Sequence, residues 1–150
     1  MVTRTRFNDS ECPVARSVDA IGDWWSLLIV RDAFDGSRRF GEFQRSLGVA
    51  KNILTARLRT LVAGGVLESV PASDGSAYRE YVLTPKGKAL FPVIVALRQW
   101  GEEHFFAPGE PHSQLVDRGQ GQRLRTLEVL SADGRRLAPD DTTVHKVSPQ

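Results

Sequence analysis

The sequence predicts a mainly α-helical domain with a small β-wing, a winged helix-turn-helix, followed by a short C-terminal tail resembling a β-hairpin. Three observations predict it. Two short amphipathic segments, Arg39 to Leu47 and Val49 to Val62, are separated by Gly48, and the second is basic. Two strand patterns flanking a polar turn follow between Val66 and Leu83. A long segment with an apolar stripe then opens at Thr84-Pro85.

The elements follow in chain order. Cys12 to Gly22 fits a short helix: Pro13 suits a first helical position, where its missing N–H costs nothing, and Val14, Val18 and Ile21 recur at helical spacing. Trp24 to Phe34 is a second helix, with Trp24, Leu27, Leu28 and Val30 expected in the core and Asp35-Gly36 as its stop. In the third segment Phe40 and Phe43 face inward. In the fourth, Ile53, Leu54, Leu58 and Leu61 form the apolar stripe, and Gly64-Gly65 ends the helix. Val66 to Val70 is a strand stopped by Pro71, Ala72 to Ala77 carries turn residues, and Tyr78 to Leu83 is the returning strand. Thr84 caps a helix running to about Phe106, with Leu90, Val93, Ile94, Leu97 and Trp100 as a wide stripe and Pro92 as a point of kinking. Pro108, Gly109 and Pro111 form a linker. Beyond it, Leu115-Val116 and Arg123 to Leu130 are expected as short strands, Ser131 to Gly134 as a turn, and Thr142 to Gln150 as a frayed end. The division is therefore a winged-helix and dimerisation domain over residues 1–106 and a linker with a ribbon-like extension over 107–150.

Composition narrows the function classes. The chain has 150 residues, 41% hydrophobic and 25% charged, ordinary values for one soluble domain with an appendage. No apolar run approaches the ~18–20 residues of a membrane span. Met1 to Arg6 carries basic residues without a following apolar region, so no secretory signal is expected. The single cysteine, Cys12, excludes an intrachain disulfide and argues against a cysteine-rich zinc site. A cytoplasmic location without membrane association is expected. His104, His112 and His145 are dispersed, and Asp19, Asp23 and Asp32 are helical acids rather than a placed catalytic pair. No serine or cysteine has a recognisable base beside it. These features predict no enzyme activity, no metal and no cofactor.

Charge is distributed unevenly. Arg38 to Arg59 holds Arg38, Arg39, Arg45, Lys51, Arg57 and Arg59 against one acid, Glu42. This segment is net +5 in a chain of net +2, so the remainder is slightly acidic. Such a segment fits either a directed anionic partner or a solvated helical face.

Several local strings resemble the HxlR-type transcriptional regulators, within the larger MarR-like winged-helix group. They are Cys12-Pro13-Val14, Ile21-Gly22-Asp23-Trp24-Trp25-Ser26-Leu27-Leu28-Ile29-Val30-Arg31, Arg39-Phe40-Gly41-Glu42-Phe43, Leu54-Thr55-Ala56-Arg57-Leu58-Arg59-Thr60-Leu61 and Tyr81-Val82-Leu83-Thr84-Pro85-Lys86-Gly87. The resemblance spans Cys12 to Phe106, and it implies a bacterial DNA-binding regulator, a homodimer built by the terminal helices, and repression or activation of nearby genes, with repression the favoured outcome. The tail resembles one in which paired cysteines form a ribbon in some members. Here Asp117-Arg118-Gly119-Gln120-Gly121 and Leu130-Ser131-Ala132-Asp133-Gly134 hold no cysteine, which predicts a hairpin that needs no zinc.

With the leucine stripe inward, Lys51, Asn52, Thr55, Ala56 and Arg59 lie near the opposite face of the fourth helix, the candidate for the major groove of double-stranded DNA. Lysine and arginine donate to guanine, asparagine pairs with adenine, and threonine offers a hydroxyl or a methyl. Arg57, nearer the side, reaches either phosphate or an internal acid. Arg38 and Arg39 precede a helix whose N-terminal amides would help hold a phosphate. Arg79 suits the minor groove, its phosphates or a cross-strand acid. Cys12, at a helix start that favours a thiolate, is either a small helix-end residue or a sensor of oxidants, as in some members of the resembled family. Trp24, Trp25, Trp100, Phe105 and Phe106 line either a ligand pocket for a small-molecule effector or a core and dimer interface. Two function classes remain: a sequence-specific regulator acting on an inverted-repeat operator, or a winged-helix module that binds protein and leaves its basic face idle.

Overall fold

A computed structural model describes residues 6–147. Residues 1–5 of the basic N-terminal segment and residues 148–150 of the expected frayed end lie outside the described residues. The chain divides into two compact units, Met1–Phe91 and Pro92–Gln150.

In the first unit, α1 (Pro13–Ile21) starts at an extended Cys12 with Pro13 in its first turn. Its expected inward stripe is only partly buried. Ile21 is inside, whereas Val14 and Val18 are 69% and 49% exposed. α2 (Trp24–Phe34) is capped by Asp23, whose carboxylate accepts from the Ser26 amide at 2.9 Å. Its buried positions are Ser26, Ile29, Val30 and Asp32. Trp24, expected in the core, is instead 74% exposed, because it lies two residues before Ser26 and so about 200° around the helix from that face. Leu27 and Leu28 are half-buried.

α3 (Phe40–Leu47) buries Phe43 completely and ends at Gly48, whose φ of 62° is a left-handed conformation that glycine adopts without steric cost. The turn is plugged by Val49, which is buried, and Ala50 is extended. α4 therefore runs Lys51–Ala63, two residues later than the periodicity suggested. Leu54, Leu58 and Leu61 are all buried, and Ile53 is half-buried.

The wing is an antiparallel pair, β1 (Leu67–Pro71) and β2 (Arg79–Leu83), in register from Leu67 opposite Leu83 to Pro71 opposite Arg79. Pro71 closes β1 instead of lying beyond it. At the end of a strand its missing N–H removes no interior ladder bond. Thr84 accepts the Gly87 amide at 3.0 Å, as a capping threonine should, and donates to the Gly65 carbonyl at 2.5 Å. Gly87 lies so close to the chain entering β1 that a Cβ there would stand 2.2 Å from the Val66 carbonyl oxygen.

The helix expected from Pro85 to Phe106 is two helices. α5 (Pro85–Lys88) closes in a turn at Ala89 and Leu90, and α6 (Phe91–His104) begins anew. Pro92 has no N–H to donate to the Lys88 carbonyl, so the helical ladder cannot pass through it.

In the second unit, α6 turns the expected stripe outward: Val93, Leu97 and Trp100 are exposed, and Val95 is the buried residue. Gln99 holds the tail, donating to the Arg125 carbonyl at 3.0 Å and accepting from the Leu127 amide at 2.8 Å. The expected tail strands are reduced to isolated antiparallel bridges, Val116 to Arg123 and Leu130 to Arg136. Their turns are closed by side-chain oxygens. Asp117 accepts the Gly119 and Gln120 amides, and Ser131 accepts the Arg135 amide.

Two substitutions test this packing. Leu58→Ala should destabilise the chain by about 2–5 kcal/mol through the cavity left behind. Gly87→Ala should lower the melting temperature although it adds only a methyl group. Urea and thermal denaturation followed by circular dichroism measure both, and an unchanged Gly87→Ala protein would contradict the close approach at Val66.

Candidate nucleic-acid interface

The buried leucines fix the rotation of α4, so the residues on its other side must face out. Lys51, Asn52, Thr55, Ala56 and Arg59 are exposed and border one shallow depression. Lys51 and Arg59 have no ion-pair partner among the described residues, and the Asn52 side-chain amide has no hydrogen-bond partner there. The Thr55 hydroxyl donates to the Lys51 carbonyl at 2.8 Å, leaving its lone pairs and methyl group outward. Two cations beside an unengaged amide present donors and acceptors suited to a major-groove edge.

Arg57 is different. Its Nε donates to Asp23 at 3.1 Å, so of its two sequence readings the structure shows the internal acid. Burial acts to raise the Asp23 pKa, but the Ser26 hydroxyl and amide, together with the Arg57 charge, hold it below the usual carboxylate value. This cluster joins the start of α2 to the middle of α4.

The segment before α3 is tied to the wing. The Arg38 carbonyl accepts from the Tyr81 amide at 2.7 Å. The Arg38 side chain donates to Glu80 at 3.1 Å. Glu80 is only 3% exposed and also accepts the Ser73 amide at 2.6 Å, which is the main reason its pKa falls. Arg39 pairs with Asp74 at the wing turn, reaches the Ser76 hydroxyl at 3.4 Å and lies 5.5 Å from the centre of the Tyr78 ring. The Ser76 amide and hydroxyl, then Arg39, lower the Asp74 pKa to about 2.

Ahead of α3, two backbone amides are engaged by a side chain of the helix's own first turn. The Arg38 and Arg39 amides are already taken by the Glu42 carboxylate, at 3.2 and 2.9 Å. Those two bonds, the Arg39 one first, lower the Glu42 pKa. Arg79 bonds the Ser69 hydroxyl and carbonyl at 3.2 and 2.8 Å, a cross-strand contact to serine rather than to an acid.

Comparison with known proteins agrees with the fold. The family model described as HxlR-like helix-turn-helix matches residues 20–108. The chain belongs to the HxlR family. The HTH-type transcriptional regulator Rv3095 of Mycobacterium tuberculosis is 44% identical over 130 residues, covering 87% of this chain and 82% of the relative. Among solved structures, PA1607, a candidate transcription factor, superimposes with a TM-score of 0.90 at 59% identity, covering 95% of this chain and all of that one. The reduced form of the redox regulator HypR matches 61% of this chain and 92% of its own at 32% identity and a TM-score of 0.57. As an HxlR-family protein the chain is a helix-turn-helix transcriptional regulator, not an enzyme.

The remaining expected residues of this HxlR protein fall in two places. In the first unit Trp24 meets Trp25 edge to face at 6.4 Å, and Cys12 is an exposed free thiol. In the second, Trp100 packs on Phe105 at 5.1 Å and borders a cavity of about 940 Å3 with Leu115, Leu124, Leu127 and Val129. Among the described residues no helix is long and apolar enough to cross a membrane. Nor does any group of three or more His, Cys, Asp or Glu gather there that could hold a metal.

Sequence reasoning did not identify Asp23, Asp74 and Glu80 as the carboxylates that engage Arg57, Arg39 and Arg38. Their only sequence signals were positional: Asp23 is a cap before an apolar helix, and Asp74-Gly75 is a turn pair. Neither signal names a partner dozens of residues away.

The pH dependence follows from the lowered carboxylates. The Asp74 folded-state pKa lies below its ordinary value of 3.8, so its contribution to the wing is complete above that pH and is lost as pH falls toward about 2. Carbon-13 NMR titration of the Asp74 carboxyl should give a midpoint near 2, and Arg39→Gln should move it upward. An ordinary midpoint in the unsubstituted protein would contradict the wing contacts.

Proposed function

We propose that this HxlR-family regulator is a sequence-specific DNA-binding protein that acts as a homodimer on an inverted-repeat operator. The observation that carries the reading is the α4 face, where Lys51, Asn52, Thr55 and Arg59 stand exposed opposite buried Leu54 and Leu58. These four contact base edges in the major groove. Arg38, Arg39 and Arg79, beside the wing, serve the phosphate backbone, and Arg57 positions α4 through Asp23. Dimerisation is supported by apolar side chains left in solvent on α1 and α6, Val14, Val18, Leu97 and Trp100 (57% exposed) among them. A dimer covering a promoter excludes polymerase, so repression is the expected outcome. The cytoplasm is the compartment in which such a protein meets its DNA.

The effector is an oxidant or electrophile acting at Cys12. Support comes from the exposure of that thiol at the start of α1 and from the similarity to HypR. Cys12→Ser should abolish any response of DNA binding to peroxide while leaving basal affinity intact. A response that persists in the variant removes Cys12 from the mechanism.

Asn52→Ala should cost about 1–3 kcal/mol on the cognate site and much less on random DNA, because only base edges differ between the two. Arg39→Ala should weaken both by a similar factor and reduce the salt slope by about one unit for each phosphate that the protein no longer neutralises. Fluorescence anisotropy across a salt series measures both. Equal proportional losses in the two variants would overturn the placement of α4, and no loss in either would favour a protein-binding module. Light scattering should give a dimer at micromolar concentration, and footprints should show half-site centres about 10 base pairs apart or a multiple of that.

A further inference from the structure

The cations of the proposed DNA face are not equivalent. Lys51 and Arg59 are unpaired among the described residues, whereas Arg38 and Arg39 each hold a carboxylate. Those two pairs differ in turn. Glu80 is buried in β2 and fixed by the Ser73 amide as well as by Arg38, so its pairing belongs to the wing itself. Asp74 lies on the exposed wing turn, with its side chain 56% accessible. Its Oδ1 is held by the Ser76 amide at 2.9 Å, and its Oδ2 faces Arg39. Around the Arg39 guanidinium stand the Ser76 hydroxyl and the face of exposed Tyr78. An arginine, a hydroxyl and an aromatic face around one anionic oxygen make a site for a singly charged tetrahedral anion as readily as for a carboxylate.

We propose that Arg39, Ser76 and Tyr78 form a phosphodiester-binding site whose ligand position is filled in the free protein by the Asp74 carboxylate. On binding, a DNA phosphate oxygen replaces Asp74 Oδ2 at the guanidinium. The Asp74 carboxylate stays on the turn through the Ser76 amide and turns to solvent. An exposed ion pair is worth little, so the exchange is nearly balanced, and Asp74 sets how tightly the regulator holds DNA of any sequence. This rests on the reading that the α4 face binds DNA, and it adds an acidic residue to that machinery.

The experiment is a double-mutant cycle on a random duplex, measured by anisotropy over a salt series with the full chain. The proteins are wild type, Asp74→Asn, Arg39→Gln and the double variant. Asparagine keeps the oxygen that accepts the Ser76 amide, and Asp74→Ser, which suits the same turn, serves as a second variant should the first fold poorly. Asp74→Asn should tighten binding by about two- to fivefold per protomer at low salt, the range of an exposed ion pair. It should also steepen the salt dependence by up to about one unit per protomer. In the Arg39→Gln background the same substitution should change little. An equal gain in both backgrounds would mean that Asp74 only repels DNA at long range, and would overturn the exchange. No gain in either background would also overturn it, while leaving the function of the α4 face intact. If the wild type binds no duplex at all, the DNA-binding reading fails first and this one with it.

Discussion

The rotation of one helix constrains the rest of the DNA-binding unit. With Leu54, Leu58 and Leu61 of α4 at 1% exposure each, any turn of the helix about its axis would bring leucine into water at about 1.5–3 kcal/mol per side chain. That constraint fixes outward a face with few packing roles of its own, so polar and charged residues can occupy it without harming the core. The Asp23–Arg57 pair adds a polar stop beside the leucines, fastening the middle of α4 to the cap of α2. The buried leucines and the exposed polar face thus occupy opposite sides of the same thirteen residues.

The wing is set by a second, polar constraint. A two-stranded ribbon is marginal by itself. Here the Arg38 carbonyl joins its edge through the Tyr81 amide, and the adjacent arginines reach a strand acid and a turn acid. Two consecutive side chains on an extended segment point to opposite sides, which is how Arg38 meets β2 while Arg39 meets the turn. The start of α3 and the wing are therefore joined by one backbone bond and two ion pairs.

The fold was legible wherever a periodic apolar pattern coincided with a clear stop. α2, α4 and the wing were read to within a residue or two because Asp35-Gly36, Gly64-Gly65 and the Ser73–Ser76 turn punctuate them. Legibility failed where apolar residues at helical spacing stay exposed. Val14, Val18, Trp24, Leu97 and Trp100 recur as core residues would, yet periodicity alone does not distinguish a buried face from an exposed one. The tail failed for a related reason. Its segments 115–116 and 123–130 have strand-like composition, but the hydrogen bonds that would make them strands go in part to the Gln99 side chain. Within the candidate site, the exposed face of α4 followed directly from the leucine stripe. The partners of Arg38, Arg39 and Arg57 did not, because each joins distant segments that only the folded chain brings together.

The closure of the tail turns by Asp117 and Ser131 has a chemical consequence. In a cysteine ribbon, sulfur holds the turns, so an oxidant or a chelator can open them. Oxygen acceptors on aspartate and serine are inert to both reagents. With one cysteine in the chain, a thiol-directed reagent has a single address, at the start of α1, far along the sequence from the turns. The bonds that close these turns contain no sulfur, so a thiol-directed reagent has nothing to react with there.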